Sequence, residues 1–179
     1  MKTATIRIKK LHPAASLPRY AHGAAEDAGM DLASLHEVIL EPGVPQLVKT
    51  GIAIELPPGY EAQIRSRSGL VLKHNVCVAN APATVDPGYR GDIGVILLWG
   101  GNHPNDTHYG RTWDSLSDNE RFGAKKAGFI RYRIPAGSRI AQMVIAEYVG
   151  VNWEEGELTD TARGVNGFGS TGVGNAPAR

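Results

Sequence analysis

The feature that most limits how this chain can fold is a two-residue alternation of apolar and polar side chains, repeated in separate stretches. They are "TIRI" (5–8), "GIAIEL" (51–56), "YEAQIR" (60–65), "FIRYRI" (129–134) and "IAQMVIAEYV" (140–149). Successive side chains on an extended strand point to opposite faces, so this pattern buries one face and wets the other. Between the stretches stand "EPGVP", "PPGY", "DPGYRG" and "PAGSR". Proline and glycine at such spacing turn the chain back on itself, which predicts an all-β fold, a jelly-roll-like barrel or sandwich with little helix. One run, "DIGVILLW" (92–99), is apolar on both parities, which predicts a strand covered on both sides, in a core or against another subunit.

Two segments break the rhythm. Residues 100–128 are polar, lack a strand pattern and are too long for an ordinary connection, so they read as an insertion. Within it Ser117 and Glu120 have the spacing of a helix-capping box. His103, Asp106 and His108 have no fourth ligand or known ligand spacing, and read as a solvated loop. The second segment is the run "RGVNGFGSTG" (163–172), an unusual composition for a fraying tail.

Composition narrows the partners. With 19 Lys and Arg against 18 Asp and Glu, no summed positive field gathers nucleic acid or an anionic membrane. A length of 179 residues fits one domain with its own core. The lone cysteine, Cys77, sits in an apolar run and forms no internal disulfide, which predicts an intracellular protein and a buried, unreactive thiol. The opening "MKTATIRIKKLHP" has no signal-peptide stretch, and no window is long and apolar enough to span a membrane, so a soluble, cytoplasmic protein is expected.

The histidines are scattered, with no H-E-x-x-H and no Gly-x-Ser-x-Gly turn, which argues against zinc or serine hydrolysis. The chain offers instead small, polar and basic residues in tight turns, suited to holding phosphates. In "RSRSGLVLKHN" (65–75), Arg65, Arg67 and Ser68 precede Gly69, which permits close backbone approach. In "NAPATVDPGYRGD" (80–92), Pro and Gly predict hairpin turns, Asp86 beside Val85 is a candidate general base, Tyr89 a flat wall, and Asn80 both donor and acceptor.

Taken in order, "DAGMDLAS" (27–34), "RSRSGLVLKHN", "NAPATVDPGYRGDIGVILL", "GSRIAQMV" (137–144) and "RGVNGFGSTG" resemble the ordered motifs of the trimeric deoxyuridine triphosphatases, across nearly the whole chain apart from the insertion. That resemblance implies a homotrimer of jelly-roll-like subunits with active sites at subunit interfaces, and hydrolysis of dUTP to dUMP and pyrophosphate. It further implies that dUMP is supplied for thymidylate synthesis and that uracil is kept out of DNA. Asp86 would activate the water that attacks the α-phosphorus. Main-chain groups of its hairpin and the Asn80 amide would read uracil, and Tyr89 would lie under the deoxyribose. Arg67, Ser68 and Gly69 would hold phosphate oxygens, with Gln142 in support and Arg139 structural. Asp31 would act on Mg²⁺ through water, as a second-sphere group. A β domain at 1–161 would be followed by a mobile C-terminal arm at 162–179, in which Arg163 reaches the γ-phosphate and Phe168 stacks on uracil. Gly167, Gly169, Ser170 and Thr171 would wrap the phosphates.

The sequence departs from the family pattern at Ser66, Asn75, Ser138 and Asn166, which stand where proline, glycine, aspartate and glycine are usual, and at Trp99. Asn166 is expected to tolerate a positive φ. The insertion resembles, in position only, segments that serve regulatory protein contacts in phage-encoded relatives. Rival readings are a dCTP deaminase of the same fold, or a binding module without turnover. The tyrosine of "DPGYRG" and the complete glycine-rich run argue against the first, and the presence of Asp86, Tyr89, Arg163 and Phe168 against the second.

Overall fold

The structure, a computed structural model, describes residues 3–101 and 131–166. They fall into two units, Met1–Val149 and Gly150–Arg179. The described part of the second unit, residues 150–166, is exposed and carries neither strand nor helix.

The first unit is built from antiparallel strands: β1 (Arg7–Lys10), β2 (Met30–Ala33), β3 (Val38–Leu40), β4 (Gln46–Lys49), β5 (Ile52–Glu55), β6 (Tyr60–Arg65), β7 (Val76–Val78), β8 (Ala83–Val85), β9 (Gly94–Trp99), β10 (Tyr132–Ile134) and β11 (Arg139–Glu147). A four-stranded sheet runs β2, β11, β6, β8, and a three-stranded sheet runs β4, β9, β7. Two-stranded ladders, β1 with β5 and β10 with β3, complete the all-β architecture. The predicted alternation is real. In β6, Ala62 and Ile64 are buried while Glu61, Gln63 and Arg65 are not, as period two requires. Leu32, Leu40, Ile52, Ile64, Leu97 and Ile140 form the centre of one core.

The strand expected to be covered on both sides, in a core or against another subunit, is fully covered on one side among the described residues. In β9, Val95, Leu97 and Trp99 are buried, whereas Gly94, Ile96 and Leu98 are only partly so. Their outer face continues onto exposed Leu47 of β4 and half-buried Cys77 of β7, which lie opposite Ile96 and Leu98. Cys77 is therefore not fully buried.

The segment read as tight turns instead forms a short helix, α1 (Ser68–His74). It ends at Asn75, whose φ of 54° is left-handed and whose N–H turns back to the Val71 carbonyl at 3.0 Å. Asparagine at this position does what glycine commonly does at a helix end. Among the described residues Asn75 is the non-glycine with positive φ, so the left-handed asparagine is this one and not Asn166. No helix among the described residues is long and apolar enough to cross a membrane.

Candidate active site

The site residues gather at different places on the four-stranded sheet, and strand register decides where. Gln142 of β11 lies opposite Asp31 of β2 on one side and opposite Arg65 of β6 on the other. Directly opposed residues share a face, so Asp31, Gln142 and Arg65 form a row across three strands. A bulge prepares it. The register of β11 against β2 shifts between Arg139 and Ala141, and Ile140 and Ala141 are consequently both buried. Arg139 and Gln142, which strict alternation would put on opposite faces, thereby both point away from the core.

Asp31 is the centre of this end. Its side chain is only 12% exposed, with Arg67 Nε 3.0 Å from Oδ1 and Arg139 Nη1 3.3 Å from Oδ2. Arg67 also donates through Nη1 to the Arg139 carbonyl at 2.8 Å, so the two arginines and the carboxylate brace one another. Arg139 is thus an ion-pair partner of Asp31. The Arg67 Nε–H is close to Asp31 Oδ1 without being directed at it, and that buried oxygen has no hydrogen-bond partner. An unsatisfied carboxylate oxygen here suits a water or a hydrated cation. Among the described residues, no three His, Cys, Asp or Glu are grouped to hold a metal ion.

Ser68 and Gly69 follow Arg67 in the first turn of α1 and are exposed. A Cβ added to Gly69 would meet nothing within 4 Å, so no neighbour in this chain requires glycine there. Ser66, standing where proline is usual, accepts the Val78 N–H through Oγ at 2.9 Å and ties the approach to α1 onto β7.

Asp86 lies elsewhere. β8 pairs with β6 through Ala83 opposite Ile64 and Val85 opposite Ala62. Asp86 therefore leaves near the Ala62 end of β6, while Arg65 closes the other end and Arg67 lies beyond it, a separation along the strand of roughly 10 Å at about 3.3 Å per residue. Asn80 precedes β8 and Asp86 follows it, both exposed. The expected hairpin is corrected here. β7 and β8 lie in different sheets, so residues 79–82 cross between layers, and they do so on the surface.

The turn after β8 is closed by its own atoms. The Tyr89 N–H donates to the Asp86 carbonyl at 3.1 Å, and the Tyr89 hydroxyl to the Asp92 carbonyl at 3.0 Å. Gly91 is needed for this, because a Cβ there would collide with the Tyr89 hydroxyl. Tyr89 remains 47% exposed, with its ring available to a ligand. Arg163 belongs to the second unit, where its Nε donates to the Asn166 carbonyl at 3.1 Å. Phe168, Gly169, Ser170 and the rest of the glycine-rich run from Gly167 on lie outside the described residues, as does nearly all of the insertion with its proposed capping box and its histidines. Sequence reasoning missed Glu55 and Arg90, which contact one another beside this turn. The charge of Arg90 in "DPGYRG" was the only available signal.

The dUTPase family model matches residues 15–107, a span that holds Asp31, Arg67, Ser68, Asn80, Asp86 and Tyr89. A deoxyuridine 5'-triphosphate nucleotidohydrolase of Solibacter usitatus is 49% identical over 93% of this chain and 95% of its own length. The chain belongs to the dUTPase family. Among solved structures, the dUTPase of Staphylococcus bacteriophage 80alpha with dUPNHPP superposes with a TM-score of 0.74 at 29% identity, covering 96% of this chain and 100% of that one. A variant dUTPase from phage phi11 of S. aureus, whose structure concerns coordination of a structural Mg(II) ion, gives a TM-score of 0.67 at 25% identity, over 88% of this chain and 100% of that one.

Proposed function

We infer that this chain hydrolyses dUTP to dUMP and pyrophosphate, with Asp86 activating the attacking water. The observation that carries the reading is the near full-length identity to a dUTP nucleotidohydrolase, with Asp86 exposed at the start of a self-closed turn. The Asp86 carboxylate takes a proton from water as oxygen bonds to the α-phosphorus, and the bond from that phosphorus to the bridging oxygen of pyrophosphate breaks. Such a positioned base typically contributes about 10²–10⁴ in rate.

Asn80 and the main chain around it read the uracil edge. Tyr89 packs under the deoxyribose and disfavours a 2′-hydroxyl. Arg67, Ser68 and Gly69 receive phosphate oxygens, with Gln142 in the row behind them. A bound Mg²⁺ would supply positive charge that offsets the charge of the departing pyrophosphate. Asp31 fits a role toward it through water, because its buried Oδ1 accepts no hydrogen bond and, among the described residues, it belongs to no cluster of three metal-ligating side chains. Residues 162–179 serve as a closing arm, with Arg163 on the γ-phosphate, Phe168 on the base, and Gly169 and Ser170 along the phosphates.

The protein acts as a homotrimer whose sites combine segments of different chains. Two features support this. Asp86 and the group around Asp31 and Arg67 sit at opposite ends of β6, and the outer face of the β4, β9, β7 sheet is apolar through Leu47, Ile96 and Leu98.

Incubation with dUTP and with dCTP, measuring pyrophosphate and ammonia separately, tests the activity. Pyrophosphate from dUTP alone is expected. Ammonia from dCTP would establish the deaminase reading, and pyrophosphate release no faster than from an Asp86→Asn variant would leave a binding module.

A further inference from the structure

We propose that Arg90, held by Glu55, is a positioning residue that fixes the turn carrying Asp86 and Tyr89; this rests on the catalytic reading of Asp86 given above. Arg90 Nη1 donates to two carbonyls of that turn, Pro87 at 2.5 Å and Tyr89 at 2.9 Å. The planar fork of the guanidinium lets Nη1 serve both carbonyls while Nη2 faces a carboxylate, an arrangement that an ammonium on a flexible stem does not reproduce. Its Nη2 lies 3.7 Å from Oε1 of Glu55, the last residue of β5. Glu55 is itself held by Arg7, which stands opposite it in the β1 and β5 ladder and donates to Oε2 at 3.2 Å. The turn is thereby clasped to a sheet and not only to itself.

The need for a clasp is visible in the packing. Pro87 and Gly88 line a surface depression of about 550 Å³ together with Arg7, Glu55, Pro57 and Arg90. Among the described residues no side chain fills the space beside the turn, and hydrogen bonds hold its shape there. The far end of the turn has its own stop. Asp92 Oδ1 accepts the Gly51 N–H at 2.9 Å, and the Ile93 N–H reaches the Ile52 carbonyl at 2.9 Å. Between these stops and β8, the two carbonyls gripped by Arg90 tie to β5 a turn that Tyr89 otherwise closes through its own bonds to Asp86 and Asp92.

Arg90 and Glu55 are 52% and 43% exposed, and exposed ion pairs contribute little to global stability. Loss of the clasp should therefore appear in turnover and sugar selectivity, and not in melting. Misplacement of a reacting group by an ångström can cost about 100-fold, so a partial loosening in Arg90→Ala is expected to lower kcat about 10-fold. KM for dUTP should change by less than about 2-fold, and discrimination against UTP, which depends on the Tyr89 ring, should fall about 3-fold or more. Arg90→Lys, which keeps the charge but not the fork, should lose most of the same ground. Glu55→Gln should shift both readouts in the same direction by about 3-fold, and the double variant should be no worse than Arg90→Ala, since the residues act as one unit.

The experiment is steady-state kinetics on dUTP and UTP for these variants of the full chain, with thermal melting alongside and Asp86→Asn as reference. The clasp is overturned by kcat and sugar selectivity within about 2-fold of wild type in both Arg90 variants, by losses that add in the double variant, or by losses that follow a fall in melting temperature. Near wild-type hydrolysis by Asp86→Asn would instead overturn the catalytic reading. An inactive Asp86→Asn beside unaffected Arg90 variants would sink the clasp alone.

Discussion

The two ends of the four-stranded sheet are built by different means. Where β6 leads into α1, the cluster depends on residues far apart in sequence: Arg139 reaches Asp31 across 108 positions and Arg67 reaches the Arg139 carbonyl across 72. It is half-buried, charged and dependent on the tertiary fold. The turn after β8 is exposed and mostly local, with Tyr89 bonded to Asp86 and Asp92 three positions away on either side. The difference separates two tasks. On the proposed reading, the end assigned to the triphosphate is prebuilt by mutually braced ions, whereas the end assigned to the base is a compact turn whose alteration leaves the core in place.

The largest expected effect lies at the turn. Asp86→Asn should lower kcat by about 10²–10⁴ while leaving the melting temperature unchanged, because the side chain is exposed. A matching loss of stability would erase the contrast between the two ends. At the charged end, Asp31→Asn should do both kinds of damage. Losing an outer-sphere carboxylate should raise the Mg²⁺ concentration for half-maximal activity about 10–100-fold. It should also cost about 1–3 kcal/mol in denaturant unfolding, the partial exposure of both arginines keeping this below the loss for a fully buried pair. A variant with normal stability would show that the braced ions are not structural.

A smaller effect is expected at Ser66→Ala, which leaves the Val78 N–H without its acceptor and should cost about 1 kcal/mol by equilibrium unfolding. The smallest concerns the loop that leads to Asp31. The Asp27 carboxylate accepts the His22 backbone N–H at 2.6 Å and lies beside the His22 ring, which holds its pKa below the ordinary aspartate value. Its contribution to stability is therefore present above the ordinary carboxyl range and is lost as pH falls through the lowered value. A carboxyl titration by NMR should find Asp27 titrating below other exposed aspartates, and an ordinary midpoint would show that this loop is not held.

What the sequence made legible follows the same division. The alternation in "YEAQIR" placed β6 at its observed bounds, and "DPGYRG" marked the turn with Asp86 and Tyr89 from local chemistry alone. The cluster on Asp31 was legible only through family resemblance. The bulge at Ile140 that turns Arg139 and Gln142 to one face arises from pairing with β2, and no period in β11 itself announces it. The start of α1 was hidden likewise, because its N-cap residue is Arg67, whose side chain only donates and so cannot accept the first N–H groups of the helix, and which lies instead beside Asp31. For β9 the sequence left open whether the second cover comes from the core or from another subunit, and within the described residues of this chain only one face is fully buried.

The central claim is that Asp86 of one chain works with Arg67 of another. Chains carrying Asp86→Asn and chains carrying Arg67→Ala, each inactive alone, can be unfolded, mixed in equal amounts and reassembled. With random assembly, about one quarter of shared sites should receive an intact Asp86 and an intact Arg67 from different chains, and activity should return to about that fraction of wild type. A mixture as inactive as its components, in oligomers shown to contain both chains, would place the two residues in the same chain's site and contradict the account.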